Sequence, residues 1–259
     1  MSRVTKGVDI STYNVKIDYA NMARQIDYAI LRCGFTGYGP GKSLNKDAQF
    51  ENHYAGFSKQ GLPMGVYYYS CADTVAEAVK EANYVLDLLK GKQFSYPIYI
   101  DVEDAYHMQK LSKKELSEVV LAFCRIIENA GYYAGIYANT YWWNNEIDQT
   151  ILADIDKWVA HYKVQTPGVK GDMWQYTENG KLNGHTGDLD LNYCYKDYPA
   201  IIKAAGLNGY GEPKTSPKIT IRGVIGTGLP DTIGVRDEKV KIAQTFLSLL
   251  GFTVTVEGT

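Results

Sequence analysis

The segment SYPIYIDVED, residues 95 to 104, runs from an apolar stretch into three carboxylates within four positions, Asp101, Glu103 and Asp104. Crowded like charges repel and shift one another's pKa values. Such a group therefore marks acid and base chemistry, or a metal ion or lysine that answers the charge. On a strand, residues two apart share a face, so Tyr99, Asp101 and Glu103 point one way and Ile98, Ile100 and Val102 the other. Asp9 in GVDIS, and Asp188 and Asp190 in GDLDLN, close two further short apolar runs in the same manner. Taken singly, an Asp at a strand end is a turn or cap residue. With Asp101 and Glu103, these residues form a set that three strands could deliver to one mouth.

Gathering that set needs a scaffold, and the chain supplies short β-branched or aromatic runs alternating with longer amphipathic stretches. Strands are expected at 6 to 11, 28 to 35, 63 to 70, 96 to 104 and 132 to 139. Helices are expected at 18 to 25, 46 to 61, 74 to 91 and 112 to 131, the last opened by Ser112 and Glu115 as a capping box. Short strands with turns follow at 171 to 183 and 187 to 195, then a last helix at 196 to 206. The order is that of an α/β protein, an irregular, TIM-like β/α barrel, in which residues at the C-terminal strand ends face the mouth where chemistry is done. This domain is expected to span 1 to 207. Gly, Pro and small polar residues at 208 to 218 mark a linker. Residues 219 to 259 read as a strand, helix, strand module, with Val240, Ala243, Phe246, Leu247 and Leu250 on one helical face.

Composition narrows the partners. The 259 residues carry a net charge of −2, which leaves no basic footprint for nucleic acid. No membrane span is present, and MSRVTKGVDIS has no apolar run of signal-peptide length, so the chain is expected to be made and folded in the cytoplasm. Tyr, at 22, far outnumbers Phe, at 7; aromatic rings that also hydrogen-bond suit sugars. Cys33, Cys71, Cys124 and Cys194 read as reduced, buried thiols, and His53, His107, His161 and His185 fall at no ligand spacing, so neither a metal nor a cofactor is expected. A rival reading comes from TGYGPGKS, residues 36 to 43, which misses the phosphate-binding loop of a nucleotide triphosphatase by one residue. Against it, Pro40 removes a backbone N–H that the cradle would use, and LNKD intervenes before the next helix.

In order and spacing, GVDIS, YIDVE, WVAHY, MWQYT and GDLDLN resemble glycoside hydrolase family 25, the Chalaropsis-type muramidases, over residues 5 to 205. AQFENHYAGFSKQGLPMGVYYYS fits the family's helix and strand between the first two motifs. The resemblance implies a barrel that hydrolyses the β-1,4 bond after N-acetylmuramic acid in peptidoglycan. It implies Glu103 as proton donor with Asp101, Asp9 and Asp190 as carboxylate companions; the second Asp of GDLDLN aligns with the family's last one, which favours Asp190 over Asp188. A phage endolysin or a bacterial cell-wall hydrolase is the implied identity. The absence of a leader points to the phage case, in which the protein reaches the wall through a separate pore.

Chemistry supports those roles. A glycosidase needs one carboxylic acid to protonate the leaving oxygen and a group to stabilise the oxocarbenium-like centre, and crowding by Asp101 and Asp9 is expected to hold Glu103 protonated near neutral pH. Asp101 would orient the substrate's N-acetyl group as internal nucleophile. Tyr67, Tyr69, Tyr137, Trp174 and Tyr176 are candidates to stack on sugars, or else barrel packing with a hydroxyl at the rim. A sugar-binding protein without activity is the third alternative, and the presence of all four acidic residues speaks against it. About forty residues rarely sustain a core alone, so the C-terminal unit is expected to pack on the barrel, to self-associate with another copy, or to begin a longer module that binds wall polymer and targets the enzyme.

Overall fold

The computed structural model describes residues 3–39 and 41–211. Nine strands form one sheet: β1 (Thr5–Ile10), β2 (Tyr28–Thr36), β3 (Leu44–Lys46), β4 (Met64–Tyr69), β5 (Ile98–Asp101), β6 (Ala134–Asn139), β7 (Asp156–Ala160), β8 (Met173–Gly180) and β9 (Leu189–Cys194). Eight of them close a barrel in the order β1, β2, β4, β5, β6, β7, β8, β9, with β9 returning to β1. From β1 to β8 the ring is parallel; β9 runs antiparallel to both its neighbours. The α/β barrel expected from the alternating pattern is therefore present, and its irregularity lies in the reversed β9 and in β3, which pairs with β2 outside the ring.

Among the described residues six helices accompany the strands: α1 (Tyr19–Ala23), α2 (Phe50–Ser58), α3 (Val75–Leu89), α4 (Lys113–Asn129), α5 (Thr140–Asn145) and α6 (Tyr198–Ala204). Side chains that accept a first-turn N–H start the long ones: Thr74 caps α3, and Ser112 with Glu115 forms the expected capping box on α4. The outward strand residues Ile98, Ile100 and Val102 join Leu116, Val120 and Phe123 of α4 in the apolar layer between sheet and helices. Inside the barrel a second cluster fills the base with Tyr28, Tyr96, Tyr99, Trp158 and Met173, and α6 closes it from below with Tyr198 and Ile202. Two glycines make room for these rings. A Cβ on Gly7 would lie 2.3 Å from the Tyr28 ring, and one on Gly135 would lie 2.4 Å from the Tyr99 ring.

The first residues of the expected linker belong to the barrel. Asn208 is buried; its Nδ2 donates to the Tyr96 carbonyl at 2.8 Å and its Oδ1 accepts from the Tyr133 N–H at 2.7 Å, while the Tyr210 and Ser95 hydroxyls meet at 2.6 Å. The rest of that linker and the module at 219 to 259 lie outside the described residues. The stretch that imitates a phosphate loop joins β2 to β3 as a hairpin, with the Gly37 N–H donating to the Ser43 carbonyl at 2.9 Å, and Lys42 is taken by Asp73 and Glu77 at 2.7 Å each. The segment runs on into strand β3 rather than into a helix, and its lysine is already held by two carboxylates, which argues against the nucleotide reading. Among the described residues no helix is long and apolar enough to cross a membrane.

Candidate active site

Asp9 sits near the end of β1, Asp101 ends β5, and Glu103 follows it by two. Asp190 differs from expectation: it lies at the start of β9, not at the end of a strand. Because β9 is reversed, its first residues reach the same rim as the last residues of the parallel strands, and Asp190 stands directly across from Asp9 in the pairing register. A cleft of about 340 Å³ opens there, lined by Asp9, Asp101, Glu103, Asp190, Tyr67 and Tyr137. Asn139, Trp158, Tyr162, Gln175 and Glu178 complete the wall. The size suits a small ligand group held between polar residues.

The electrostatics follow from burial. Asp9 is 4 % exposed, and desolvation, followed by the charge of Asp190, raises its pKa well above the carboxylate range; hydrogen bonds from Asn192 and Gln175 offset part of the rise. Burial and then the Glu178 charge push Asp190 up to about 6. Asp101 is raised by burial, by Glu103 and by Asp9, against the pull of Arg32. Its Oδ1 is buried and has no hydrogen-bond partner among the described residues. Glu103 is pushed up to about 7, first by burial and then by Asp190. The elevated acid is thus present, but its cause is desolvation and Asp190 rather than crowding by Asp101 and Asp9.

Asp104, the third carboxylate of the opening segment, is not in the cleft. It accepts from the His107 backbone N–H at 2.6 Å and lies 2.9 Å from the His107 Nδ1, and so fixes the short turn at Met108–Lys110. With Cys71 these two form the group among the described residues that could offer a metal three ligands. The Asp104 and His107 atoms are engaged with each other, the Cys71 thiol donates to the Thr36 carbonyl at 3.3 Å, and burial pushes that thiol up to about 12, away from the thiolate that a metal requires. None of the three lines the cleft.

The aromatic candidates divide. Tyr67 and Tyr137 line the cleft. Tyr69 shares the Tyr67 face one step further along β4, beside Tyr38 at 5.6 Å and off the cleft wall. Trp174 and Tyr176 are not brought to the site. Alternation along β8 sends Met173 and Gln175 into the barrel and these two rings outward, where Trp174 donates to the His161 carbonyl and Tyr176 stacks on Tyr193 at 4.4 Å. Gln175, Asn139, Trp158, Tyr162 and Glu178 were missed by sequence reasoning. A signal existed for Gln175: it is a lone amide flanked by aromatics in MWQYT, at the position whose period-two neighbour is the inward Met173.

Comparison with known proteins agrees with the barrel fold. The profile of Glycosyl hydrolases family 25 matches residues 8–185, more than half of the chain, and includes Asp9, Asp101 and Glu103, with Asp190 just beyond it. The autolytic lysozyme of Clostridium acetobutylicum is 26% identical over 189 residues, 72% of this chain and 55% of that protein. The modular autolysin LytC from Streptococcus pneumoniae superposes with a TM-score of 0.63 at 25% identity, covering 74% of this chain and 47% of that one. The bacterial lysozyme from Streptomyces coelicolor shares the fold with a TM-score of 0.66 at 21% identity, over 82% of this chain and 100% of that one. The chain spans about half the length of the lysozyme from Clostridium and of the autolysin.

Proposed function

The chain belongs to glycosyl hydrolase family 25, and from that premise we propose that it is a peptidoglycan hydrolase, an N-acetylmuramidase cleaving the β-1,4 bond between N-acetylmuramic acid and N-acetylglucosamine. The observation that carries the proposal is the meeting of four carboxylates in one cleft with Glu103 held at about 7, where it still bears a proton near neutral pH. Glu103 gives that proton to the glycosidic oxygen as the bond breaks. Asp101 receives the N–H of the substrate's acetamido group on its unpartnered Oδ1, which turns the acetyl oxygen toward the anomeric carbon. That oxygen forms the new bond as the leaving sugar departs. Glu103, now a carboxylate, takes a proton from the water that reopens the ring. Asp9 and Asp190 supply negative charge beside the cationic centre.

Purified protein with EDTA present is expected to release muramic-acid reducing ends from peptidoglycan. Release of free amino groups instead would mean an amidase or peptidase and would overturn the reading. The proposal includes action on the bacterial wall, as a phage endolysin or a bacterial wall hydrolase, and a targeting role for the C-terminal residues. Because residues 208–211 pack on the barrel, the test of targeting removes 212–259: hydrolysis of soluble muropeptides should persist while cosedimentation with whole walls weakens.

A further inference from the structure

Of the four carboxylates, Asp9 is the one held in a cradle of side-chain amides. Its Oδ2 accepts from Gln175 Nε2 and from Asn192 Nδ2, each at 2.8 Å. Both amides are themselves fixed. Asn192 Oδ1 accepts the indole N–H of Trp158 at 2.8 Å, and because an indole N–H only donates, the amide must turn its Nδ2 to Asp9. Gln175 Oε1 accepts the hydroxyl protons of Tyr137, at 2.9 Å, and of Tyr162, which leaves its Nε2 for Asp9. Asp9, Gln175 and Asn192 are all buried. An oxygen that receives two amide donors has no place for a proton. Asp190 stands directly opposite Asp9 in the pairing of β1 with β9, and two carboxyl groups brought together there can bond only if they share a proton.

We propose that Gln175 and Asn192 are positioning residues for the reaction: by fixing Oδ2 of Asp9 as an acceptor, they confine the proton of the Asp9 and Asp190 pair to the contact between the two carboxyl groups. The pair then keeps one negative charge in a set orientation beside the substrate. Its part in turnover rests on the muramidase reading; the placement of the proton does not. The groups that face Asp9 are Asp190 on β9, Asp101 on β5, and the hydroxyls of Tyr28, Tyr67, Tyr137 and Tyr162 on or beside β2, β4, β6 and β7, with Arg32 answering Asp101. Burial raises all four tyrosines, so near neutral pH the carboxylates alone titrate around Asp9.

The test is a carboxylate titration of the full chain by carbon-13 NMR, alongside kinetics on peptidoglycan. Donors to a carboxylate favour its ionised form, so Gln175→Met and Asn192→Leu should each raise the Asp9 midpoint by about one unit. In the same variants kcat should fall about tenfold to a hundredfold, with KM changed less than about twofold. Gln175→Glu keeps the acceptor for both tyrosines but can donate to Asp9 only when protonated. Its activity should therefore be lost at neutral pH and recover on the acid side, a signature that simple loss of packing would not give. Unchanged Asp9 midpoints in the first two variants, or a wild-type pH profile in Gln175→Glu, would overturn the proposal. Should the wild-type protein release no muramic-acid ends, the muramidase reading fails, while the titration still decides whether the cradle places the proton.

Discussion

The base and the mouth of the barrel are built from the same strands and differ by a step of two residues. On β5 the inward residue changes from Tyr99 to Asp101; on β1 from Gly7 to Asp9; on β8 from Met173 to Gln175. On β9, read in reverse, Cys194 gives way to Asn192 and then Asp190. The base is an apolar aromatic plug, whereas the mouth is polar and crowded with acid. The comparison teaches where the acidity of the site comes from. For each of the four carboxylates burial is the largest cause of the raised pKa, ahead of any neighbouring charge. Trp158 belongs to both layers, a ring of the base that also forms part of the cleft wall.

The sharpest way to separate the two layers is to disable each in turn. Glu103→Gln keeps the shape of the mouth but removes its acid, and turnover on peptidoglycan should drop by about 10² to 10⁴-fold with circular dichroism unchanged; Asp101→Asn should be nearly as severe. If Glu103→Gln retains a substantial fraction of activity, the acid lies elsewhere in the set. Tyr99→Ala strikes the base, and chemical denaturation should show a loss of about 3–5 kcal/mol, the usual cost of emptying a buried aromatic site. A base that merely fills space would show that loss without moving the pH profile; a base that sets the acidity should also shift the alkaline limb to lower pH.

The pH dependence has a definite sign. Activity should fall on the alkaline side through about 7 as Glu103 ionises, and on the acid side through about 6 as Asp190 takes up a proton. Stability runs in one direction: Glu103 rises from its ordinary 4.5 to about 7 on folding, so its contribution is whole below the lower value and is lost as pH climbs through the upper one. Glu103→Gln should therefore flatten the decline of Tm on the alkaline side, measured by calorimetry. A smaller effect is expected at the rim, where Glu178→Gln removes the charge that lifts Asp190 and should move the acid limb to lower pH. Smallest of all, Tyr176→Ala on the outer face should leave kcat/KM on soluble muropeptides within about twofold, the range of ordinary surface changes.

The sequence carried the repeating strands and helices well, because period-two and period-3.6 patterns are local. The direction of β9 was not legible. LDLNYC alternates identically read either way, and only its pairing with β1 and β8 reverses it. The three residues of β3 and the six of α5 were too short to show a period. In the site, Asp9, Asp101, Glu103 and Asp190 could be gathered from motifs, whereas Trp174 and Tyr176 were misplaced because alternation gives two faces without saying which is inner. Gln175 and Asn192 drew no notice since an amide shows its use only when its partners are in place. The Asp190 contribution to Glu103 was hidden for the same reason: it depends on closure between strands far apart in the chain.

That closure also governs when the carboxylate set is assembled. Asp9 and Asp190 come together only through the pairing of β1 with β9, the first and last strands of the described residues, and such distant contacts are among the slowest to form. A growing chain exposes Asp9, Asp101 and Glu103 long before β9 has been synthesised, but without β9 there is neither a closed ring nor the charge that helps to lift Glu103. The half-made polypeptide therefore lacks the assembled carboxylate cleft, which completing the barrel creates.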